Sequence, residues 1–270
     1  MRRSLRRLCA AGEAELYIPH KLLSKEPASA SGGAQLLRFA WPEGERGLAS
    51  APSSVYYAQG PDFKPKKSYS PISLRHEPTM DIVVKAYAPA PDGAGYGAAL
   101  CGLSIGETAA LRYKPGKDIK GLGGVKRLGL LAAGTGMAPL LQIARDALRR
   151  DDGLASISLL SSYQKRDDVL LGPYLTALEK ESNGIFRHRN VITGDGDRID
   201  AAAISAAMPP PGTEDALILV CGTDGFVAGM GGPLVREVDA ATGKRGPKRQ
   251  GPLEGVLSDL GYAAEEVYKF

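Results

Sequence analysis

Hydrophobic and polar positions change rhythm near the middle of the chain. Between about Glu13 and Lys117, short β-rich runs stand between clusters of Pro, Gly and Ser: Leu36 to Trp41, Asp81 to Tyr87 and Ala109 to Tyr113. Such runs predict a small antiparallel β-barrel. After Gly121-Leu122-Gly123-Gly124 the runs alternate in type. Arg127 to Ala133 reads as an apolar strand and is followed by a glycine turn. From Pro139 to Arg150, Leu140, Ile143, Ala144, Ala147 and Leu148 share one face at helical spacing, with Pro139 suited to a first turn. Ile157 to Leu160 predicts a strand, Asp167 or Asp168 the cap of a helix through Tyr174 to Lys180, and Phe186 to Ile192 and Ala216 to Val220 two further strands. Alternating strands and helices imply a parallel α/β sheet that takes ligands at the carboxyl ends of its strands. The expected organisation is a basic arm at 1–13, a β-barrel domain over 14–122 and an α/β domain over 126–270. Asp195-Gly196-Asp197, Pro209 to Pro211 and Lys244 to Pro252 read as loops.

Composition agrees with two domains: 270 residues at about 150 per domain, with 43% hydrophobic residues to fill two cores. Disordered and fibrous classes are excluded. A net charge of +4 with 6% aromatic residues lacks the cationic, aromatic-interleaved face of a nucleic-acid binder. Cys9, Cys101 and Cys221 are too scattered for a disulfide framework or a metal motif, which favours a reducing compartment. His20, His76 and His188 form no cluster at metal or catalytic-triad spacing, so no metal site is expected. The longest uncharged apolar stretch begins at Leu128 and runs up to Arg145. Gly134, Gly136 and Pro139 interrupt it, and it is short for a membrane span. Residues 1–8 carry four arginines, and no acid precedes Glu13. That is the composition of a mitochondrial transit segment or of a solvated basic tail.

Three stretches carry chemistry. Strand, then Gly134-Thr135-Gly136-Met137-Ala138-Pro139, then helix, brings backbone and a helix N-terminus within reach of a phosphate. Taken alone it equally describes a tight turn with no ligand. A second apolar strand ends in Cys221-Gly222-Thr223-Asp224-Gly225-Phe226, and two such turns could face one crevice. In the front half, Lys67-Ser68-Tyr69-Ser70-Pro71 combines a cation, an aromatic face and a hydroxyl, which suits a phosphate and a flat ring system.

In this order, these motifs resemble the NADH:cytochrome b5 reductase branch of the ferredoxin-NAD(P) reductase superfamily. The resemblance extends from about Glu15 to Phe270. It includes Tyr69-Ser70-Pro71-Ile72, Asp81 to Tyr87, Ile105-Gly106-Glu107-Thr108, Gly134-Thr135-Gly136 with Pro139, Asp168 to Leu171, Val220-Cys221-Gly222 and Val267-Tyr268-Lys269-Phe270. It implies a barrel that binds FAD and an α/β domain that binds NADH or NADPH. Hydride would pass from nucleotide to flavin and single electrons onward to a haem protein such as a cytochrome. It assigns Tyr69 to the flavin face and Ser70 to its reacting edge, the two residues placed at the chemistry. Lys67, Pro71, Lys85, Tyr87 and the Gly93 to Gly97 loop, with Gly95, Tyr96 and Gly97, fall to the flavin. Gly134, Thr135, Gly136, Met137, Pro139, Cys221, Gly222, Thr223, Phe226 and the aromatic Phe270 fall to the nucleotide side. Hydride transfer is cofactor chemistry and requires no acid, base or nucleophile of the protein.

The chain departs from that pattern where Lys67 replaces an arginine, Gly97 a serine, Ala138 a threonine, and Thr223-Asp224-Gly225-Phe226 a proline-rich turn with methionine. A lysine offers a phosphate a point charge instead of a two-pronged fork. Two readings follow: a divergent working reductase, or a reductase fold retained as a structural or assembly subunit of a larger mitochondrial complex. For the nucleotide, Thr193 occupies the position of the family's ribose-binding acid with Asp195 close by, which leans toward NADH, while Arg187 and Arg189 on the same strand lean the other way. Lys114, Lys117, Lys120, Lys126 and Arg127 could steer an acidic partner or simply be a solvated linker. Lys244 to Arg249 is a second basic loop, facing solvent or a partner.

Overall fold

Side chains that alternate between a core and solvent build the first sheet. The computed structural model describes residues 17–42, 54–58, 66–74, 76–87, 95–114, 118–150, 153–239, 243 and 245–270. Strands β1 (Ile18–Pro27), β2 (Ala34–Ala40), β3 (Ser54–Ala58), β4 (Lys66–Tyr69), β5 (Thr79–Lys85) and β6 (Thr108–Lys114) form an antiparallel sheet in the order β4-β3-β6-β1-β2-β5. An antiparallel bridge between Pro71 and Ile82 brings the chain after β4 back onto β5, so the sheet curls toward closure as a barrel. Leu22, Leu37, Phe39, Val55, Met80, Ile82, Val84 and Leu111 fill its interior. Helix α1 (Tyr96–Gly102) plugs it with Leu100 and Cys101, and the Lys25 ammonium bonds the Cys101 and Leu103 carbonyls at the helix's last turn (3.1 and 2.9 Å).

Past β6 the architecture changes. Strands β7 (Arg127–Ala133), β8 (Ser156–Tyr163), β9 (Phe186–Ile192), β10 (Ala216–Cys221) and β13 (Val267–Lys269) form a parallel sheet ordered β13-β10-β7-β8-β9. Helices α2 (Met137–Arg149), α3 (Gly172–Glu181), α4 (Ala201–Ala207), α5 (Asp224–Gly231) and α6 (Gly255–Asp259) connect them. The middle strands are covered on both faces, which explains their unbroken apolar runs. Leu128, Leu130 and Ala132 of β7 pack toward the barrel with α2, in a core that also takes in Leu36, Ile72 and Val83 of the barrel. Leu131 packs on the opposite side with Ile204, Ile218 and Leu257. The core shared by barrel and α/β sheet holds the two halves face to face.

Polar contacts reinforce this junction. Arg145 of α2 donates to the Ile72 carbonyl (2.5 Å) and forms an ion pair with Glu77, while its guanidinium lies 5.7 Å from the Tyr174 ring centroid. Gln142 donates to the Ser73 carbonyl (3.0 Å). The Ser31 hydroxyl of the β1–β2 hairpin donates to Asp168 (2.8 Å). Asp168 is therefore not the cap of the following helix. It sits in a 3-10 turn (Arg166–Asp168), and α3 begins four residues later after Leu171 in the left-handed region (φ 52°).

A second correction concerns Lys244 to Pro252, expected as a loop. Strand β12 (Arg245–Gln250) pairs antiparallel with β11 (Leu234–Val238) as a ribbon separate from both main sheets. The basic arm at 1–13 lies outside the described residues.

Candidate functional site

The chain leaves β7 toward β8 and β9 on one side and returns to place β10 on the other, so β7 and β10 flank the point where the strand order reverses. Loops after two such strands diverge and leave a crevice at their carboxyl ends. Gly134-Thr135-Gly136 follows β7 as a 3-10 turn, and Cys221-Gly222 follows β10, with Cys221 paired to Ala132. The two turns are pressed together backbone to backbone. A Cβ on Gly136 would stand 2.6 Å from the Cys221 carbonyl carbon and 2.8 Å from Gly222 Cα, and one on Gly222 would meet Phe226 Cδ1 at 2.8 Å and Ala133 Cβ at 2.9 Å. Gly134 is different in kind: its φ is +52° and a Cβ there would meet nothing within 4 Å, so this glycine faces open space. Directly behind it α2 starts with no side-chain cap and no acid in its first turn, so its positive dipole end is open to an anion, although the Met137 amide already bonds the Gly134 and Thr135 carbonyls and Pro139 has no N–H.

Phe270 joins the same edge. Strand β13 pairs with β10 so that Lys269 is level with Val220, and the Phe270 amide donates to the Val220 carbonyl (2.9 Å). Its ring packs toward the core shared with the barrel, as does Cys221, and meets Tyr268 edge to face at 5.2 Å. On the barrel side, β5 lies against the Gly134–Gly136 turn.

The flavin-motif residues cluster at this barrel rim. Tyr69 ends β4 with its ring half-buried against the barrel core. Burial, with Cys101, Tyr57 and Tyr96 nearby, raises its phenol pKa, so the ring stays neutral. Ser70 is half-buried in the bend between β4 and the buried, bridged Pro71. Lys67 is exposed on β4. Lys85 ends β5 with its ammonium 5.5 Å from the Tyr87 ring centroid, and Tyr87 is 63% exposed. Gly95 precedes α1, Tyr96 stands edge-on to Tyr57 at 6.4 Å, and a Cβ on Gly97 would overlap the Lys85 carbonyl. The first turn of α1 thus rests directly on the end of β5, too close for the serine of the family pattern. Gly93 lies outside the described residues.

Several expected contact residues have other duties. Met137 is fully buried and Pro139 is buried with it, so both side chains serve the core under α2 and only their backbone faces the turn. The Thr223 hydroxyl accepts from the Phe226 amide (3.2 Å) and caps α5. Phe226 packs on the core of the sheet's far side. Thr135 is half-buried beside the open Gly134.

A third turn holds Thr193 and Asp195, the pair the sequence placed near the ribose. Gly194, after β9, packs on the Gln164 carbonyl after β8 and donates to it (2.9 Å). Here Asp195 pairs with Arg166 (2.6 Å), Thr193 donates to the Tyr163 carbonyl (3.2 Å), and Arg198 donates to the Thr193 carbonyl (2.8 Å). Arg187 and Arg189 are exposed but lie back along β9, about 13 Å from the turn for Arg189 at 3.3 Å per residue. Of the expected linker cluster, two members are placed by their main-chain bonds. Lys126 and Arg127 sit at the opposite end of β7, their amides bonded to the Asp215 carbonyl, about 20 Å along the strand from Gly134. Lys120 is exposed, and Lys117 is outside the described residues. His20 is buried against Tyr113 and His188 pairs with Glu179 (2.8 Å). Among the described residues no group of three His, Cys, Asp or Glu could hold a metal ion, and no helix is long and apolar enough to cross a membrane.

Residues 130–231 match the oxidoreductase NAD-binding domain family. The whole fold resembles the cytochrome b5 reductase domain of Ulva prolifera nitrate reductase, at 20% identity and TM-score 0.67, covering 94% of this chain and 97% of that one. It equally resembles a ferredoxin NADP+ reductase of Neisseria gonorrhoeae with bound FAD and NADP, at 18% identity and TM-score 0.67, over 96% and 99% of the two chains. The architecture is the two-domain fold these reductases share, an antiparallel barrel followed by a parallel α/β sheet. In sequence the chain is similar to cytochrome b5 reductases. It is 28% identical over 250 residues to NADH-cytochrome b5 reductase 2 of Chaetomium globosum, covering 87% of this chain and 67% of the relative. Against the same enzyme of Neosartorya fischeri it is 28% identical over 246 residues, covering 87% and 72%.

Proposed function

We propose that the protein is an FAD-dependent NADH oxidoreductase that passes electrons to a haem protein of the cytochrome b5 class. The observation that carries this reading is the convergence at one edge of an open Gly134 before an uncapped helix, the Cys221-Gly222 turn, the Phe270 ring and the end of β5. The residues present suit both cofactors: backbone N–H groups and a glycine facing open space for a nucleotide phosphate, and a neutral aromatic ring with a hydroxyl beside it at the barrel rim for a flat ring system. Bound FAD would supply the chemistry, accepting a hydride and releasing electrons singly.

The chain's own residues bind and orient. The α2 N-terminus and Gly134 hold the nucleotide's phosphates, and Gly136, pressed on Cys221, holds that turn at its depth. Tyr69 offers its ring to the flavin and Ser70 its hydroxyl, while Lys67 and Lys85 supply positive charge along the rim. Asp195 at the end of β9 suits ribose hydroxyls and repels a 2′-phosphate, which favours NADH. Arg166, paired with Asp195, and Arg198, on the Thr193 carbonyl, work against that repulsion. The arginine-rich opening stretch supports a mitochondrial address, tested by fusing residues 1–13 to a reporter and following its import.

The test is NADH-driven reduction of cytochrome b5 by the flavin-loaded protein, run beside NADPH. Expected is reduction with NADH and at least about tenfold lower kcat/KM with NADPH, the size of one mismatched charge contact. Flavin-loaded protein that fails to reduce the cytochrome with either nucleotide overturns the reading.

A further inference from the structure

Lys269, in the last strand, is only 2% exposed. Its ammonium donates to four backbone carbonyls: Gly231 and Pro252 at 2.8 Å, Gly251 at 3.1 Å and Pro233 at 3.3 Å. Burial lowers its pKa, and Glu254 counters this from outside the carbonyl group. An ammonium in such a place is costly unless every proton is accepted, and three donors over four acceptors satisfy that condition. A methionine would fill the same volume without the desolvation cost. What only the cation does is gather four carbonyls that would otherwise repel one another.

Those carbonyls come from the two feet of the β11–β12 ribbon, Gly231–Pro233 before it and Gly251–Pro252 after it. The main chain of Lys269 is clamped as well: its amide donates to Gln250 Oε1 (3.0 Å) and its carbonyl accepts from Gln250 Nε2 (2.7 Å), so one side-chain amide imitates a neighbouring strand. A strand of three residues is thereby held by β10 on one edge and by Gln250 on the other. The next residue is Phe270, whose ring, by alternation, faces the opposite side toward the barrel.

We propose that Lys269 is a positioning residue: its carbonyl cage fixes β13 and so sets the Phe270 ring at the edge of the nucleotide site. This rests on the function proposed above for that site. Lys269 touches neither cofactor and acts through Phe270 alone.

The test combines K269M, F270A and the double variant in calorimetric titration of the flavin-loaded protein with NAD+, together with hydrogen exchange of the Phe270 amide without nucleotide. Expected are losses of affinity of about tenfold for each single variant, the size of one aromatic ring contact. The double variant should be no more than about twofold weaker than F270A, because two residues acting as one unit do not add. Exchange at Phe270 should quicken in K269M while β10 stays protected. Multiplying effects, or unchanged affinity and exchange in K269M, would overturn the proposal. If K269M melts below the assay temperature, K269Q, which keeps two N–H donors among the carbonyls, carries the same comparison with a smaller expected loss. Absence of NAD+ binding by the unaltered protein would strike the site reading, and exchange at Phe270 would still decide whether Lys269 holds that residue.

Discussion

The two halves of the site are made of different material. On the α/β side it is backbone: Gly136 against Cys221 and Gly222, Gly194 against Gln164, and the first turn of α2 with no side-chain cap. On the barrel side it is side chains on strand ends: Tyr69, Ser70, Lys67, Lys85 and Tyr87, several of them exposed. The difference teaches where substitutions are tolerated. A side-chain site loses its contacts one at a time, each worth about 1 kcal/mol. A backbone site fails at once when a single Cβ drives two turns apart, because main-chain atoms have nowhere to retreat. The chain departs from the reductase pattern on both sides, at Lys67 and Gly97 and at Ala138 and Thr223 to Phe226, while Gly134, Gly136, Cys221 and Gly222 of the two closely packed turns are kept.

The contrast is broken most sharply by G136A. Overlap with the Cys221 carbonyl should lower NAD+ affinity by at least about a hundredfold while flavin content stays unchanged. Equal losses of both cofactors, read by calorimetry and by flavin absorbance, would show that the halves are not separable. R145M cuts the tie between them. It leaves Glu77 without its cation at a half-buried position and should cost about 2–3 kcal/mol, measured as a lowered urea midpoint. On the barrel side, S70A should weaken FAD by about fivefold, near 1 kcal/mol, without changing NAD+ affinity. K67R should tighten FAD severalfold by restoring a planar fork to a phosphate, and a loss of flavin would mean that Lys67 does not face the cofactor.

The smallest effect lies in the barrel alone. Burial depresses the pKa of His20 below its ordinary 6.5, with its bond to the Ile18 carbonyl opposing. The unfolded chain therefore binds a proton more readily than the folded one below that value. Stability rises with pH up to about 6.5 and is lost as pH falls below it. H20Q should flatten this part of the pH–stability curve, and an unchanged slope would place its origin elsewhere.

Elements whose sequence period matches their burial were legible residue by residue, as with Arg127 to Ala133 and Phe186 to Ile192. Glycine turns were legible because close backbone approach leaves no other residue type. What was not legible depends on partners distant in sequence. Asp168 looks like a helix cap but takes its hydrogen bond from Ser31 in the barrel. Lys244 to Pro252 is rich in Gly, Pro and cations and reads as loop, yet pairing with Leu234–Val238 makes Arg245–Gln250 a strand. Met137 borders the glycine turn in sequence, but the helical period turns its side chain into the core. Arg166 meets Asp195 only because β8 and β9 are parallel neighbours, and nothing local marks Lys269 as buried.

The most direct measurement is the visible absorbance spectrum of the purified protein, recorded before and after anaerobic addition of NADH. The account predicts oxidised flavin bands that bleach with NADH and do so more slowly with NADPH. A protein that stays colourless after incubation with FAD, or a bound flavin that neither nucleotide bleaches, would contradict it.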